Sequence, residues 1–188
     1  MADKFNVLVI CGSLRKGSYN AALTRELPKL APPEINLINA PTLEAFPLYN
    51  ADVQNTSGFP APANDLAGMI RDADGVLFVT PEYNWSMPGV LKNAIDWVSR
   101  MKDQTFEGKP VAIQSVSQGP LGGARMQYHW RMSMTFLAAF IFGTPEVFVG
   151  MAQNKFDKDT LELKDQPTKD AVKAQLAAFA KFIAKMKG

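Results

Sequence analysis

The 188-residue sequence holds one cysteine and one histidine. A single thiol excludes an internal disulfide framework and any zinc cluster built on cysteines, and one imidazole leaves no histidine set for a metal. Charge of one sign is also lacking. The 20 Lys and Arg residues against 18 Asp and Glu give a formal +2, which excludes a polybasic arm, so no nucleic-acid partner is expected. Long apolar runs are absent too. The longest, Met134 to Phe142, is interrupted by Thr135 and falls far short of the roughly 20 residues of a membrane span. The polar start Met1 to Asn6 and the short run Val7 to Cys11 do not form a secretory signal, so a cytoplasmic location is expected. What is there is ordinary globular material, 47% hydrophobic and 20% charged. One domain over residues 1–188 is expected.

Short apolar runs alternate with amphipathic stretches. Strands are expected at Phe5–Cys11, Glu34–Ile38, Val76–Thr80, Pro110–Val116 and Glu146–Val149. Helices are expected at Ser18–Leu30 with Ser18 as N-cap, from Pro62 to Ala73, from Pro88 to Arg100, from Gly122 to about Ala139, and at Thr168–Lys187. Pro28 is expected to fray or kink its helix. In the Pro88 helix, Val90, Leu91, Ala94, Ile95, Trp97 and Val98 fall on one face. Asn39 to Pro60, with prolines 41, 47 and 60, reads as a long loop. Near-continuous apolar strands alternating with helices imply α/β: a flavodoxin-like, doubly wound five-stranded parallel sheet in the order 2-1-3-4-5, helices on both faces. Ligands of such sheets sit beyond the carboxyl ends of the strands, at the switch point between strands 1 and 3. The loops after Cys11, Thr80 and Val116 are therefore the candidates.

The first loop, GSLRKGSYN from Gly12 to Asn20, runs from a strand end into a helix start. That placement offers free backbone N–H groups and a helix N-terminus, with Ser13, Arg15, Ser18 and Asn20 as side-chain donors: an anion site. The same residues also suit a plain βα turn with a Ser cap. Only Gly12 and Gly17 are present, so G-x-G-x-x-G is not formed; they have the glycine spacing of a Walker A loop, but Ser18 follows Gly17 directly and the lysine stands at 16. The second loop, TPEYNWSMPG from Thr80 to Gly89, sets aromatic and amide groups between Pro81 and Pro88, which suits a flat heteroaromatic ligand or a rigid packing loop. Trp85 reads equally as ligand contact or interface. The third, SVSQGPLGG from Ser115 to Gly123, lets backbone approach a ligand or merely caps a helix.

Together GSLRKGSYN, PEYNWSMPGVLKNAIDW and SQGPLGGAR resemble the NADPH-dependent FMN reductase family, and within it the bacterial quinone- and chromate-reducing branch. The first two motifs lie about 60 residues apart, in the family's order. The resemblance implies that Ser13, Arg15, Ser18 and Asn20 hold the FMN phosphate, aided by backbone of Leu14, Lys16, Gly17 and Tyr19. It implies that Pro81, Glu82, Tyr83, Asn84 and Trp85 line the ribityl chain and ring edge, with Ser117, Gln118 and Gly119 on the far border. Trp85 departs from the tyrosine common in close relatives. The activity implied is transfer of hydride from NADPH or NADH to FMN and of two electrons onward to quinones, azo compounds, chromate, ferric complexes or free flavin. The flavin carries the chemistry, so no catalytic side chain and no metal are expected. A homodimer or homotetramer is implied. The alternative is a flavodoxin-type electron carrier without direct NAD(P)H oxidation; a serine hydrolase built on Ser13 lacks a placed histidine.

Of the remaining residues, Cys11 is expected to be a buried, inert thiol, and His129 structural or interfacial. Arg125, Tyr128 and Arg131 precede the apolar stretch Met132 to Ala139, expected to lie in a subunit interface, with Glu146 as the partner of Arg125.

Overall fold

The computed structural model describes residues 4–187. Its strands are β1 (Phe5–Cys11), β2 (Ile35–Asn39), β3 (Gly75–Val79), β4 (Pro110–Val116), β5 (Phe140–Ile141) and β6 (Val147–Val149). Its helices are α1 (Tyr19–Leu30), α2 (Ala51–Ser57), α3 (Ala61–Asp72), α4 (Gly89–Val98), α5 (Ala124–Phe136) and α6 (Gln166–Lys187), with 3-10 turns at Leu43–Ala45 and Ala152–Asn154. The strands are parallel in the order β2-β1-β3-β4, and β5 and β6 share the last position. β5 pairs with Pro110 and Val111, β6 with Gln114 to Val116. The expected 2-1-3-4-5 order is therefore present, with the fifth strand broken in two.

Alternation along the strands divides the core. Leu8, Ile10, Val76, Phe78, Val111 and Ile113 face α3, α4 and α5. Val7, Val9, Leu77, Val79 and Ala112 face α1 and α6. Both faces are covered, which is why β3 and β4 are buried at every position. On α4, Leu91, Ala94, Ile95, Trp97 and Val98 are buried as their spacing predicts, and Val90 is half-buried. Phe78 meets Trp130 edge-on at 5.1 Å, fixing the centre of that layer.

Ser18 is the N-cap of α1: its Oγ accepts from the backbone N–H of Asn20 at 3.1 Å and of Ala21 at 3.4 Å. Pro28 does not end α1, which continues to Leu30. The expected loop from Asn39 to Pro60 contains a helix. α2 is capped by the Asn50 side chain, which accepts from Asp52 N at 2.8 Å, and buries none of its residues. The helix expected from Gly122 to about Ala139 is shorter, Ala124–Phe136. Gly122 and Gly123 adopt positive φ before it and Ala138 after it, and the chain then turns into β5.

Glu146 does not pair with Arg125. Its carboxylate lies 3.2 Å from Arg131 and 3.3 Å from the Tyr128 hydroxyl. Arg125 stands six residues earlier on α5, about 9 Å along the axis, and meets Glu82 at 3.8 Å instead. Among the described residues no helix is long and apolar enough to cross a membrane.

Candidate functional site

The first loop begins where β1 ends. Gly12 donates its N–H to Val79 O at 3.0 Å, and any Cβ placed on it would fall on the Thr80 hydroxyl. Gly12 is thus the residue that lets the first loop lie against the end of β3. Beyond it, among the described residues, the backbone N–H groups of Ser13, Leu14, Arg15, Lys16 and Gly17 donate to nothing in the chain. The loop crest is exposed at Leu14, Arg15, Lys16 and Gly17. Arg15 folds over it, donating from Nη2 to Gly17 O at 3.1 Å. Five free N–H groups, a guanidinium and the start of α1 form a donor set suited to an anion.

Asn20 links this loop to the third. Its Nδ2 donates to Val116 O and its Oδ1 accepts from Val116 N, both at 2.9 Å. The side chain is buried, so the amide braces the wall and keeps only one N–H uncommitted.

The second loop is a tight hairpin. Tyr83 N donates to Ser86 O at 2.9 Å and Ser86 N to Tyr83 O at 3.0 Å. Asn84 and Trp85 between them both have positive φ, 48° and 68°, the backbone of a type I′ turn. A bulky aromatic there carries about 1–2 kcal/mol of strain. Arg125 stacks on the Trp85 ring, 4.0 Å from its centroid. Glu82 Oε2 accepts from Met126 N at 3.1 Å, and Ser86 Oγ lies 3.3 Å from His129 Nδ1. Three side-chain contacts therefore seat the hairpin on α5.

The third loop is pinned to the end of β6. Ser117 N donates to Val149 O at 2.9 Å and Met151 N to Gly119 O at 3.1 Å. A Cβ on Gly122 would strike the backbone of Phe148 to Gly150, so close approach, and not only its positive φ, demands glycine there. Ser117 Oγ donates to Gly119 O at 3.1 Å.

Ser13, Arg15, Ser18, Tyr19, Asn20, Pro81, Glu82, Tyr83, Ser117 and Gln118, with Val116, line one cleft of about 230 Å³. Of the other expected residues, Lys16 and Gly17 stand on the exposed crest, and Asn84 and Trp85 form the hairpin tip. Gly119 is exposed beside the cleft. Leu14 turns to a separate apolar recess with Leu43, Phe46, Leu48 and Val90. The close approach of Gly12 to Thr80 and the stack of Arg125 on Trp85 join segments distant in the chain and leave no periodic mark in the sequence. A larger groove of about 610 Å³ lies between α4 and α5. No strand end opens into it.

Cys11 ends β1 half-buried. Burial pushes its thiol up, outweighing the lowering influence of the Ser13 and Thr24 contacts and of Arg25, so the thiolate is disfavoured as expected.

Known proteins place this arrangement. The chain is 51% identical over 187 residues to a quinone reductase of Escherichia coli K12, covering both chains completely. It is 45% identical over 188 residues, again end to end, to an NAD(P)H-dependent FMN reductase of Pseudomonas aeruginosa. Among solved structures, the flavoenzyme NAD(P)H:(acceptor) oxidoreductase FerB of Paracoccus denitrificans matches with a TM-score of 0.86 at 32% identity, covering 97% of this chain and 98% of that one. The family model for NADPH-dependent FMN reductase matches residues 5–154. The chain belongs to the NADPH-dependent FMN reductase family and is an FMN-dependent NAD(P)H oxidoreductase.

Proposed function

We propose that this enzyme is an NAD(P)H:quinone reductase whose FMN occupies the cleft between the three loops, phosphate on Ser13 to Asn20 and ring toward Tyr83 and Ser117. The observation that carries the placement is the run of five unspent backbone N–H groups beside Arg15, a donor set that fits a phosphate monoester. The cleft then leads from that anion-seeking end to a tyrosine half-exposed at 49%, which fits a flat ring. Bound FMN supplies two-electron transfer from NAD(P)H to an acceptor.

The chain's own residues bind and orient. Arg15 neutralises phosphate charge, Ser18 caps α1 with its oxygen and keeps its O–H to donate, and Asn20 keeps the first and third loops in register. The clamped Glu82 and the hairpin fix the wall against which the ring lies. An open cleft admits flat quinones and azo compounds, and oxyanions such as chromate. The quinone reading is supported by the E. coli relative's activity.

Assembly into a dimer or tetramer is supported by a stripe on α5. Tyr128, Met132 and Phe136, spaced by four, are 53%, 72% and 87% exposed, a face better covered than left in water. Of the stretch expected to be interfacial, Met132 and Phe136 are left bare, whereas Met134 and Leu137 are buried in the chain's own core. We assign the protein to the cytoplasm as one domain; the free Cys11 accords with a reducing compartment.

The test is an anaerobic visible spectrum of the FMN-loaded protein before and after NADPH, then NADH. Rapid bleaching followed by recovery on adding a quinone is expected. Bound flavin that neither nucleotide bleaches would favour the electron-carrier alternative, and failure to bind FMN would remove the cleft assignment.

A further inference from the structure

Two polar side chains lie where the core layer is otherwise apolar. Alternation along β4 puts Ser115 on the same side as Val111 and Ile113, and on α5 Gln127 is flanked by Met126 and Trp130 of that layer. Ser115 and Gln127 are both fully buried, and they meet. Gln127 Nε2 donates to Ser115 Oγ and to Val147 O, each at 2.8 Å, and Ser115 Oγ donates to Gly122 O at 2.5 Å. A carbonyl at either end fixes the direction of every bond in this relay. Stability alone does not select it. Gln127 Oε1 is buried with no partner among the described residues, a cost that a methionine there would not carry.

What the relay holds is the end of the third loop. Gly122 and Gly123 adopt φ of 60° and 87°, and two such glycines leave the peptide between them free to reorient. The Ser115 hydroxyl selects one orientation by fixing the Gly122 carbonyl. Gly123 passes so near that a Cβ on it would come within 2.8 Å of the Ser115 side chain. The other end of the loop is tied by backbone alone, Ser117 N to Val149 O and Ala152 N to Ser117 O. Ser117 and Gln118, which line the cleft, are strung between that anchor and the relay. The neighbour of Gln127 extends the hold: Met126 N donates to Glu82 Oε2, so the first turn of α5 also fixes a wall residue of the second loop. Both relay side chains are enclosed by their own chain, whatever covers the outer face of α5.

We propose that Ser115 and Gln127 are positioning residues for the flavin ring, acting through the Gly122 carbonyl to set Ser117 and Gln118 against it. The inference rests on the reading that FMN lies in the cleft with its ring toward Tyr83 and Ser117. The phosphate end belongs to the first loop, to which the relay makes no bond.

The test compares FMN, riboflavin and inorganic phosphate as ligands of the wild type, Ser115→Ala and Gln127→Met, flavin binding being read by fluorescence and phosphate binding by calorimetry. Each variant should bind FMN and riboflavin about tenfold more weakly, as loss of one buried hydrogen bond implies, and should keep its phosphate affinity. The visible band of bound FMN should shift in both. Ile183→Val is the control. Ile183 packs at Gly75, where β3 starts, at the end of the sheet away from the cleft. This substitution should lower Tm comparably and leave flavin affinity and spectrum unchanged. Ser115→Ala, which removes a single oxygen, carries the test should Gln127→Met fail to fold. Flavin affinities equal to the wild type, an unmoved FMN band, an equal loss in Ile183→Val, or phosphate weakened in step with riboflavin would each overturn the proposal. The two readings fail separately. A wild type that binds no flavin removes the cleft assignment and this inference with it; a wild type that binds flavin no better than the two variants do removes only the positioning role.

Discussion

The carboxylate of Glu82 caps a helix that begins 42 residues later: its Oε2 accepts the Met126 N–H at 3.1 Å. The cap position itself is Gly123, which has no side chain to offer, so the second loop supplies what the helix lacks. Glu82→Ala should lower stability by about 1 kcal/mol, a fall of about 2–4 °C in Tm for a chain of this length. Glu82→Gln keeps an acceptor and should recover roughly half. Scanning calorimetry checks both; equal losses would assign the effect to the charge facing Arg125 and not to the cap.

Arg15 is exposed and contacts the chain only through Gly17 O. Arg15→Ala should therefore leave the stability of the flavin-free protein within about 0.5 kcal/mol. It should weaken FMN by about tenfold to a hundredfold, the range of a charged hydrogen bond. Riboflavin, which lacks the phosphate, should bind both proteins alike. Flavin fluorescence titration gives the comparison, and an equal loss for riboflavin would move Arg15 off the phosphate.

The stripe on α5 predicts a mutable assembly. Phe136, the most exposed of its three residues, should tolerate Phe136→Glu without loss of fold, because nothing in the chain covers it. Sedimentation velocity should then show a shift from oligomer to single chain. A wild type that sediments as a single chain at all concentrations would remove the interface reading.

Asp165 gives a pH dependence. Its Oδ2 accepts from Thr168 N at 2.9 Å and from the Thr168 hydroxyl at 2.5 Å, with Lys155 at 3.9 Å. The Thr168 hydroxyl, foremost, then the backbone bond and Lys155 hold its carboxyl below the usual carboxylate range, against a smaller opposing influence of burial. A folded pKa lower than the unfolded one means stability present above the unfolded value and lost as pH falls through the folded one. Asp165→Asn should therefore flatten part of the stability decline below about pH 4, read from urea unfolding at a series of pH values. An unchanged decline would show that this carboxylate is not linked to folding.

The elements that were legible in the sequence are those that bury an apolar face. β1, β3 and β4 read directly because both their sides are covered, and α4 because its apolar stripe is continuous. α2 left no trace, since a helix that buries nothing has no stripe to read. β5 was hidden because Phe140 and Ile141 extend the apolar stretch that follows α5, where two residues of strand are indistinguishable from a helix end. At the site, the loops and most cleft residues followed from strand ends and motif order. The Glu82–Met126, Arg125–Trp85 and Asn20–Val116 contacts did not, because each joins residues tens of positions apart and depends on how layers stack.

Asn20 and Val116 hold the first and third loops together by two bonds of 2.9 Å, both within the folded chain. The walls of the cleft are consequently completed when the protein folds, not when a ligand arrives. The ordering entropy of those loops is settled in advance, and binding has only to strip water and dock. Flavin uptake should then be a one-step encounter, its observed rate rising linearly with concentration and reaching no plateau.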